Sequence, residues 1–170
     1  MIGYSKDLLI LAFDHRGSFL EKLFGIRGRP PTPAEILEVS RFKGIIYEGF
    51  KLALERHVPR EKAGILVDEQ FGEAIAVDAR KNAITFATSV EKSGQDEFDF
   101  EYGAQFGDHI DRFSPSFSKV LVRYNPAADA ALNARQSARL KKLNEWLHHN
   151  QRKFLFELLV PATPAQLEAA

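Results

Sequence analysis

The chain has 170 residues, of which 45% are apolar and 27% charged, with basic and acidic residues balanced at 23 each. A chain of this length is expected to form a single domain, spanning residues 1–170, with a sizeable core. Zero net charge gives no electrostatic footprint for nucleic acid or an anionic membrane, so neither is expected as a partner. The lack of cysteine excludes disulfides and thiolate chemistry. No apolar run approaches the about 18 residues of a membrane span, and the first residues make a poor signal peptide, so a cytoplasmic location is expected.

Short apolar runs that end in charged residues, or contain one, predict five strands. Continuous Val/Ile/Leu stretches are typical of buried parallel strands. Ligands in such folds bind at the carboxyl ends of the strands, so the charged residues there are the candidate site. The runs are Leu8–Phe13, Ile65–Val67, Ile84–Ala87, Val120–Val122 and Leu155–Val160.

Helical periodicity fills the intervals between these runs. Thr32-Pro33-Ala34-Glu35 is a capping box with proline at the first helical position, and apolar residues follow it at three- and four-residue steps. The basic, turn-rich segment 25–31 is predicted to link the first strand to this first helix. Strands that alternate with helices indicate βαβ units and a parallel sheet. The predicted helices are 33–53, 70–80, 98–113, 132–147 and a last one that opens at Thr163.

Five successive strand–helix units predict an α/β protein of the (β/α)8 TIM-barrel family, with this chain covering about the first five units. Thr163-Pro164-Ala165-Gln166 repeats the capping-box form, but the chain stops at Ala170. A TIM barrel typically needs about 250 residues. The chain is therefore expected to be a fragment of a longer α/β protein.

The first three strand ends offer several kinds of chemistry. Asp14-His15-Arg16 suits a polar anchor for a hydroxylated or phosphorylated substrate, but also a structural Asp–Arg pair. Asp68 is placed to cap the next helix, whereas Glu69 beside it suits acid–base work or metal binding. Lys92 is suited to bind phosphate or to form a Schiff base.

The fourth and fifth runs place charges inside the strands themselves. Because strand side chains alternate, Lys119 and Arg123 share one face of their strand. Glu157 is a natural partner for Lys119, and it lies in an apolar strand where a buried carboxylate would not serve packing. The pair is either a structural ion pair or a functional pair that relays a proton or activates a carbonyl. The functional alternative is favoured because structural barrel interiors are mostly branched aliphatic.

Five blocks of the chain, in order, resemble the aldolase-like domain fused behind the sugar kinase in bacterial 5-dehydro-2-deoxygluconokinases. That domain belongs to inositol catabolism and is generally assigned as 2-deoxy-5-keto-gluconate-6-phosphate aldolase. The same spacing is more distantly similar to the tagatose-1,6-bisphosphate aldolases, class I enzymes on a TIM barrel. The resemblance covers essentially the whole chain and implies that residues 1–170 are the N-terminal part of a single aldolase-like TIM-barrel domain. The blocks are 11–17, 66–72, 91–103, 119–126 and 156–161.

The resemblance implies a class I-type aldolase that cleaves a phosphorylated keto-sugar acid without a cofactor. It also implies that the Schiff-base lysine lies beyond residue 170, so the chain alone is expected to be inactive. A homo-oligomer, with fusion to a sugar kinase in the parent protein, is the expected assembly. The implied catalytic residues are Glu157, Lys119 and Asp14, and the substrate-binding residues are Arg16, Asp68, Glu69, Lys92 and Arg123.

Two other functions stay open at this point. One is a non-catalytic sugar-phosphate-binding or regulatory domain of a sugar kinase, which would keep the cationic strand ends. The other is a lyase that uses a divalent metal held by Asp68, Glu69 and His15.

Overall fold

A computed structural model describes residues 3–169 as one five-stranded parallel sheet with six α-helices. Neighbours in sequence are neighbours in the sheet, in the order β1-β2-β3-β4-β5. The strands are β1 (Leu9–Ala12), β2 (Ala63–Val67), β3 (Thr85–Ser89), β4 (Phe117–Arg123) and β5 (Phe154–Leu159). The helices are α1 (Gly17–Phe24), α2 (Pro33–Arg56), α3 (Glu69–Lys81), α4 (Phe106–Phe113), α5 (Ala130–His149) and α6 (Pro164–Glu168).

The α/β class and the five parallel strands agree with the sequence prediction, but the assignment to the (β/α)8 TIM-barrel family is wrong. The sheet is curled into an open half-barrel. A closed barrel requires its last strand to bond to its first. Within residues 3–169, β1 pairs with β2 alone and β5 pairs with β4 alone, so both remain edge strands.

Helices cover the convex face of the sheet. On β2 and β3, the side chains of α2 and α3 bury a cluster around Ile65, Val67 and Phe86. On β4, the side chains of α4 and α5 pack against Val120 and Val122. Gly72 of α3 allows this close packing, because a Cβ at that position would overlap a methyl group of Val67.

The concave face is different, because its lower part is apolar and its upper part charged. Leu66, Ala87 and Phe117 form a small cluster there, with Ile10 and Leu155 beside them. Further toward the carboxyl ends, the same alternation brings charged side chains to this face. The open side of the half-barrel is therefore a cleft with a charged rim.

Two local predictions fail. Residues 98–105 are not the start of a helix: Phe100 forms an antiparallel bridge with Glu91, and the helix begins at Phe106 after a 3-10 turn. The two-residue spacing of buried Phe98 and Phe100 belongs to this extended segment. The helix α1, which is followed by Gly25 in the left-handed conformation, was not predicted from the sequence.

Candidate functional site

Six of the eight predicted site residues line one cleft, whose volume is about 840 Å³. Each lies at, or just beyond, the carboxyl end of a strand or on the concave face near it. The parallel arrangement brings these ends to a single rim, which explains why residues far apart in sequence meet. The six residues are Asp14, Arg16, Lys92, Lys119, Arg123 and Glu157.

Lys119 lies at the centre of the cleft wall. Its Nζ is 2.9 Å from an oxygen of Asp14 and 3.1 Å from oxygens of both Glu91 and Glu157. Leu121 of β4 is in register with Glu157 of β5, so Lys119 and Glu157 share the concave face. The structure therefore places this predicted pair in direct contact.

Burial disfavours the charged form of Lys119, but the charges of Glu91 and Asp14 outweigh it and raise the pKa of Lys119 above its ordinary value. For Asp14, burial acts to raise the pKa, but the Lys119 charge and a hydrogen bond from Ser89 prevail and lower it. The Ser89 hydroxyl donates this bond to Asp14 at 2.7 Å. Lys119 is thus a fixed cation rather than a neutral amine.

Glu91 is a member of this group that the sequence analysis did not select. It is buried beside Lys119 and Arg16, and burial raises its pKa more than the charges of these two cations lower it. Glu91 follows β3 and immediately precedes the predicted Lys92. Its neighbour in the bridge is Phe100, so the extended segment that was misread as helix holds this carboxylate in place.

Glu157 differs from the expectation of a buried carboxylate. Its side chain is 48% exposed because β5 is an edge strand. Within residues 3–169 its salt-bridge partner is Lys119. One carboxylate oxygen is therefore within reach of Lys119 while the group stays open to the cleft.

Asp14 and Arg16 do not form the structural pair that the sequence left open. Asp14 bonds to Lys119 and Ser89, whereas Arg16 bonds to Glu91 at 3.3 Å and to Glu101 at 2.9 Å. The Arg16 side chain is 6% exposed. It links β1 to the segment after β3 and so supports the cleft wall.

Asp68 and Glu69, which were predicted to bind substrate, do not line this cleft. Asp68 is fully buried, caps α3 by accepting from the Phe71 amide at 2.8 Å, and pairs with Lys43. Glu69 accepts from His109 Nδ1 at 2.8 Å and pairs with Arg112. The reason is local: α3 begins at Glu69, which turns both carboxylates toward neighbouring helices instead of the concave face.

Lys43 is the residue that sequence reasoning missed most clearly. It lies in the middle of α2, is 1% exposed, and donates to Asp68 and to the Phe13 carbonyl, the latter at 2.8 Å. Burial lowers the pKa of Lys43 and raises the pKa of Asp68, which narrows the pH range in which both are charged. The signal for a buried lysine was present in the sequence, because Lys43 lies within the apolar stripe of the predicted helix 33–53.

The three residues proposed for a divalent metal are not brought together. Asp68 and Glu69 already have the partners described above, and His15 is exposed on the cleft rim. In the described part of the chain, no group of three or more His, Asp or Glu side chains has the arrangement of a metal site.

A family model described as "Uncharacterized protein conserved in bacteria (DUF2090)" matches residues 3–169. The chain belongs to this family. Comparison with curated proteins finds no match. The resemblance to aldolase-like domains therefore stays a prediction. Among residues 3–169, no helix combines the length and the apolar character that crossing a membrane requires.

Proposed function

We propose that the cleft binds a phosphorylated keto-sugar acid and supports retro-aldol cleavage of its carbon chain, as in a class I-type aldolase domain. The observation that carries this proposal is the position of Lys119 between Asp14, Glu91 and Glu157 at the carboxyl rim of the sheet. Retro-aldol cleavage needs a base for a hydroxyl proton and a hydrogen-bond donor for the oxygen that gains negative charge. This cluster offers both.

The reaction can be written for 2-deoxy-5-keto-gluconate 6-phosphate. Its C3 hydroxyl is β to the C5 ketone, so loss of the hydroxyl proton forms an aldehyde at C3 and breaks the C3–C4 bond. The electron pair of the broken bond stays on C4 and is delocalised onto the imine nitrogen that an amine forms at C5 with loss of water. Protonation of C4 and hydrolysis of the imine by water then release a three-carbon keto phosphate and the amine, and the other product is a three-carbon aldehyde acid.

Each residue of the cluster has a separate role in this proposal. Glu157, half-exposed and in contact with Lys119, removes the hydroxyl proton. Lys119 donates a hydrogen bond to the substrate oxygen as a cation, because its raised pKa opposes nucleophilic attack. Asp14 orients Lys119. The imine-forming amine is proposed to lie beyond residue 170, as the resemblance implies.

The test is release of the keto phosphate from 2-deoxy-5-keto-gluconate 6-phosphate by the longest natural polypeptide that carries this chain. Glu157→Gln should lower turnover by about 10²-fold or more, the usual scale for a general base, while the substrate Kd stays unchanged. Glu145→Gln, an exposed change on α5, is the matched control. Normal turnover of Glu157→Gln would make Glu157 a structural partner of Lys119, and no release by the wild type would overturn the aldolase proposal.

A second candidate is a non-catalytic sugar-phosphate-binding or regulatory domain of a sugar kinase. It is favoured by one observation: the cationic side chains of Lys92 and Arg123 line the cleft at the strand ends, which suits binding of an anionic ligand. Calorimetry separates the two candidates. Tight binding of the sugar phosphate by the same polypeptide, without any release of product, would support the binding domain.

A further inference from the structure

The charges along the cleft are not evenly neutralised. Arg27 and Arg29 of the rim are paired with Glu21 at 3.3 Å and with Glu35 at 2.6 Å. Within residues 3–169, Lys92 makes no salt bridge. Arg123 likewise makes none there, and instead donates to the Gln95 carbonyl at 3.1 Å. Two cleft cations are thus free of carboxylate partners in the described chain.

The segment 92–95 joins these two cations to the start of α1. Its Gln95 carbonyl contacts Arg123, and its Ser93 hydroxyl accepts from the Gly17 amide at 3.3 Å. The side chain of Arg16, the residue before α1, makes no capping bond to the first helical turn. Amides at a helix start carry partial positive charge, which has the same sign as the two cations.

A buried donor lies in the same wall. Arg16 is 6% exposed, lines the cleft, and its Nε has no acceptor among the described residues. Arg16 is otherwise committed to Glu91 and Glu101. The cleft therefore has two poles: a neutralised pole, where Lys119 faces three carboxylates, and a basic pole at Lys92, Arg123 and the start of α1.

We infer that the basic pole binds the phosphate group of the substrate, while the neutralised pole receives its uncharged hydroxyl and carbonyl oxygens. The carboxylates around Lys119 would repel a phosphate dianion. Lys92 and Arg123, by contrast, supply positive charge that no carboxylate of the described chain neutralises, together with charge-assisted hydrogen-bond donors. The identity of the substrate rests on the proposed function, but the anion site itself is tested without any turnover.

The experiment is a calorimetric titration of the full chain with inorganic phosphate. Lys92→Ala and Arg123→Gln should each weaken phosphate binding by about tenfold or more, as expected when a charge-assisted contact is lost. Arg29→Gln removes the same charge from the same rim, but Arg29 is already paired with Glu35, so binding should stay at the wild-type level. Circular dichroism verifies that each variant is folded.

Three results would overturn the inference. In the first, Lys92→Ala and Arg123→Gln both bind phosphate with wild-type affinity. In the second, Arg29→Gln loses as much phosphate affinity as these two variants. In the third, acetate competes with phosphate at equal concentration. The first places the phosphate elsewhere, the second reduces the effect to overall charge, and the third makes the site a general carboxylate site. If phosphate binding behaves as inferred but no keto phosphate is released, the proposed aldolase is wrong and the anion site stands.

Discussion

Replacing Lys43 by methionine tests whether the buried ion pair beneath the cleft holds the carboxyl ends of β1 and β2. Methionine keeps much of the length and volume of the lysine stem but removes the ammonium. Asp68 then stays buried without its charge partner, and the Phe13 carbonyl loses a donor at 2.8 Å. Because Phe13 precedes Asp14, the same change loosens the segment that carries a cleft residue.

The magnitude follows from burial, since both side chains are 1% exposed. Removing one partner of a buried pair costs about 3–5 kcal/mol of unfolding free energy. For a protein of this size, that corresponds to a fall in Tm of about 6–20 °C. Asp68→Asn removes the unpaired charge, while its amide oxygen can still accept a hydrogen bond from the Phe71 amide. The double variant Lys43→Met/Asp68→Asn should therefore recover part of the unfolding free energy that Lys43→Met loses.

Urea unfolding followed by circular dichroism gives the free energies. Lys51→Met is the matched control on the same helix, because its pair with Glu48 is at the surface and should contribute little to the free energy of unfolding. A loss below about 1 kcal/mol for Lys43→Met would refute the reasoning, as would a double variant less stable than Lys43→Met.

Three further predictions concern other parts of the molecule. Two arginines lower the pKa of Glu97 from 4.5 to about 2, so the stability that this carboxylate contributes is present above pH 4.5 and is lost as the pH falls toward 2. The urea midpoints of Glu97→Gln and the wild type should therefore converge on acidification. A difference that stays constant with pH would contradict this. Phe156 is 46% exposed on edge strand β5 and should promote self-association of the chain. Phe156→Lys should shift the sedimentation coefficient toward that of the monomer. A wild type that is monomeric at every concentration would exclude self-association through this strand. His109→Ala should cost about 1 kcal/mol by urea unfolding, because Glu69 loses a hydrogen bond; unchanged stability would show that the pair is incidental.

The strands and the long helices were predictable because their signals are local. Five apolar runs mark the strands, and the capping box at Thr32 marks the start of α2 as observed. The helix α1 was missed because it has eight residues and starts with glycine, without a capping side chain. Residues 98–105 were misread because the three- and four-residue spacing of aromatic residues imitated a helix.

The closure of the sheet and the partners of the charged residues were not predictable in the same way. Closure depends on whether the first and last strands pair, and no local pattern encodes this pairing. Alternation along β4 correctly placed Lys119 on one face with Glu157 as its partner. The partners of Asp68 and Glu69 were not predictable, because Lys43 and His109 lie on other helices and are distant in sequence.

The most direct test of the central claim, that the charged cleft at the carboxyl rim is the ligand site, is a chemical-shift titration of the ¹⁵N-labelled chain with 2-deoxy-5-keto-gluconate 6-phosphate. The cleft account predicts saturable shifts that concentrate on the amides of Gly17, Ser93 and Gly94, with smaller shifts near Lys119 and Glu157. An absence of saturable shifts, or shifts confined to the opposite rim around Arg60 and Ala83, would contradict it.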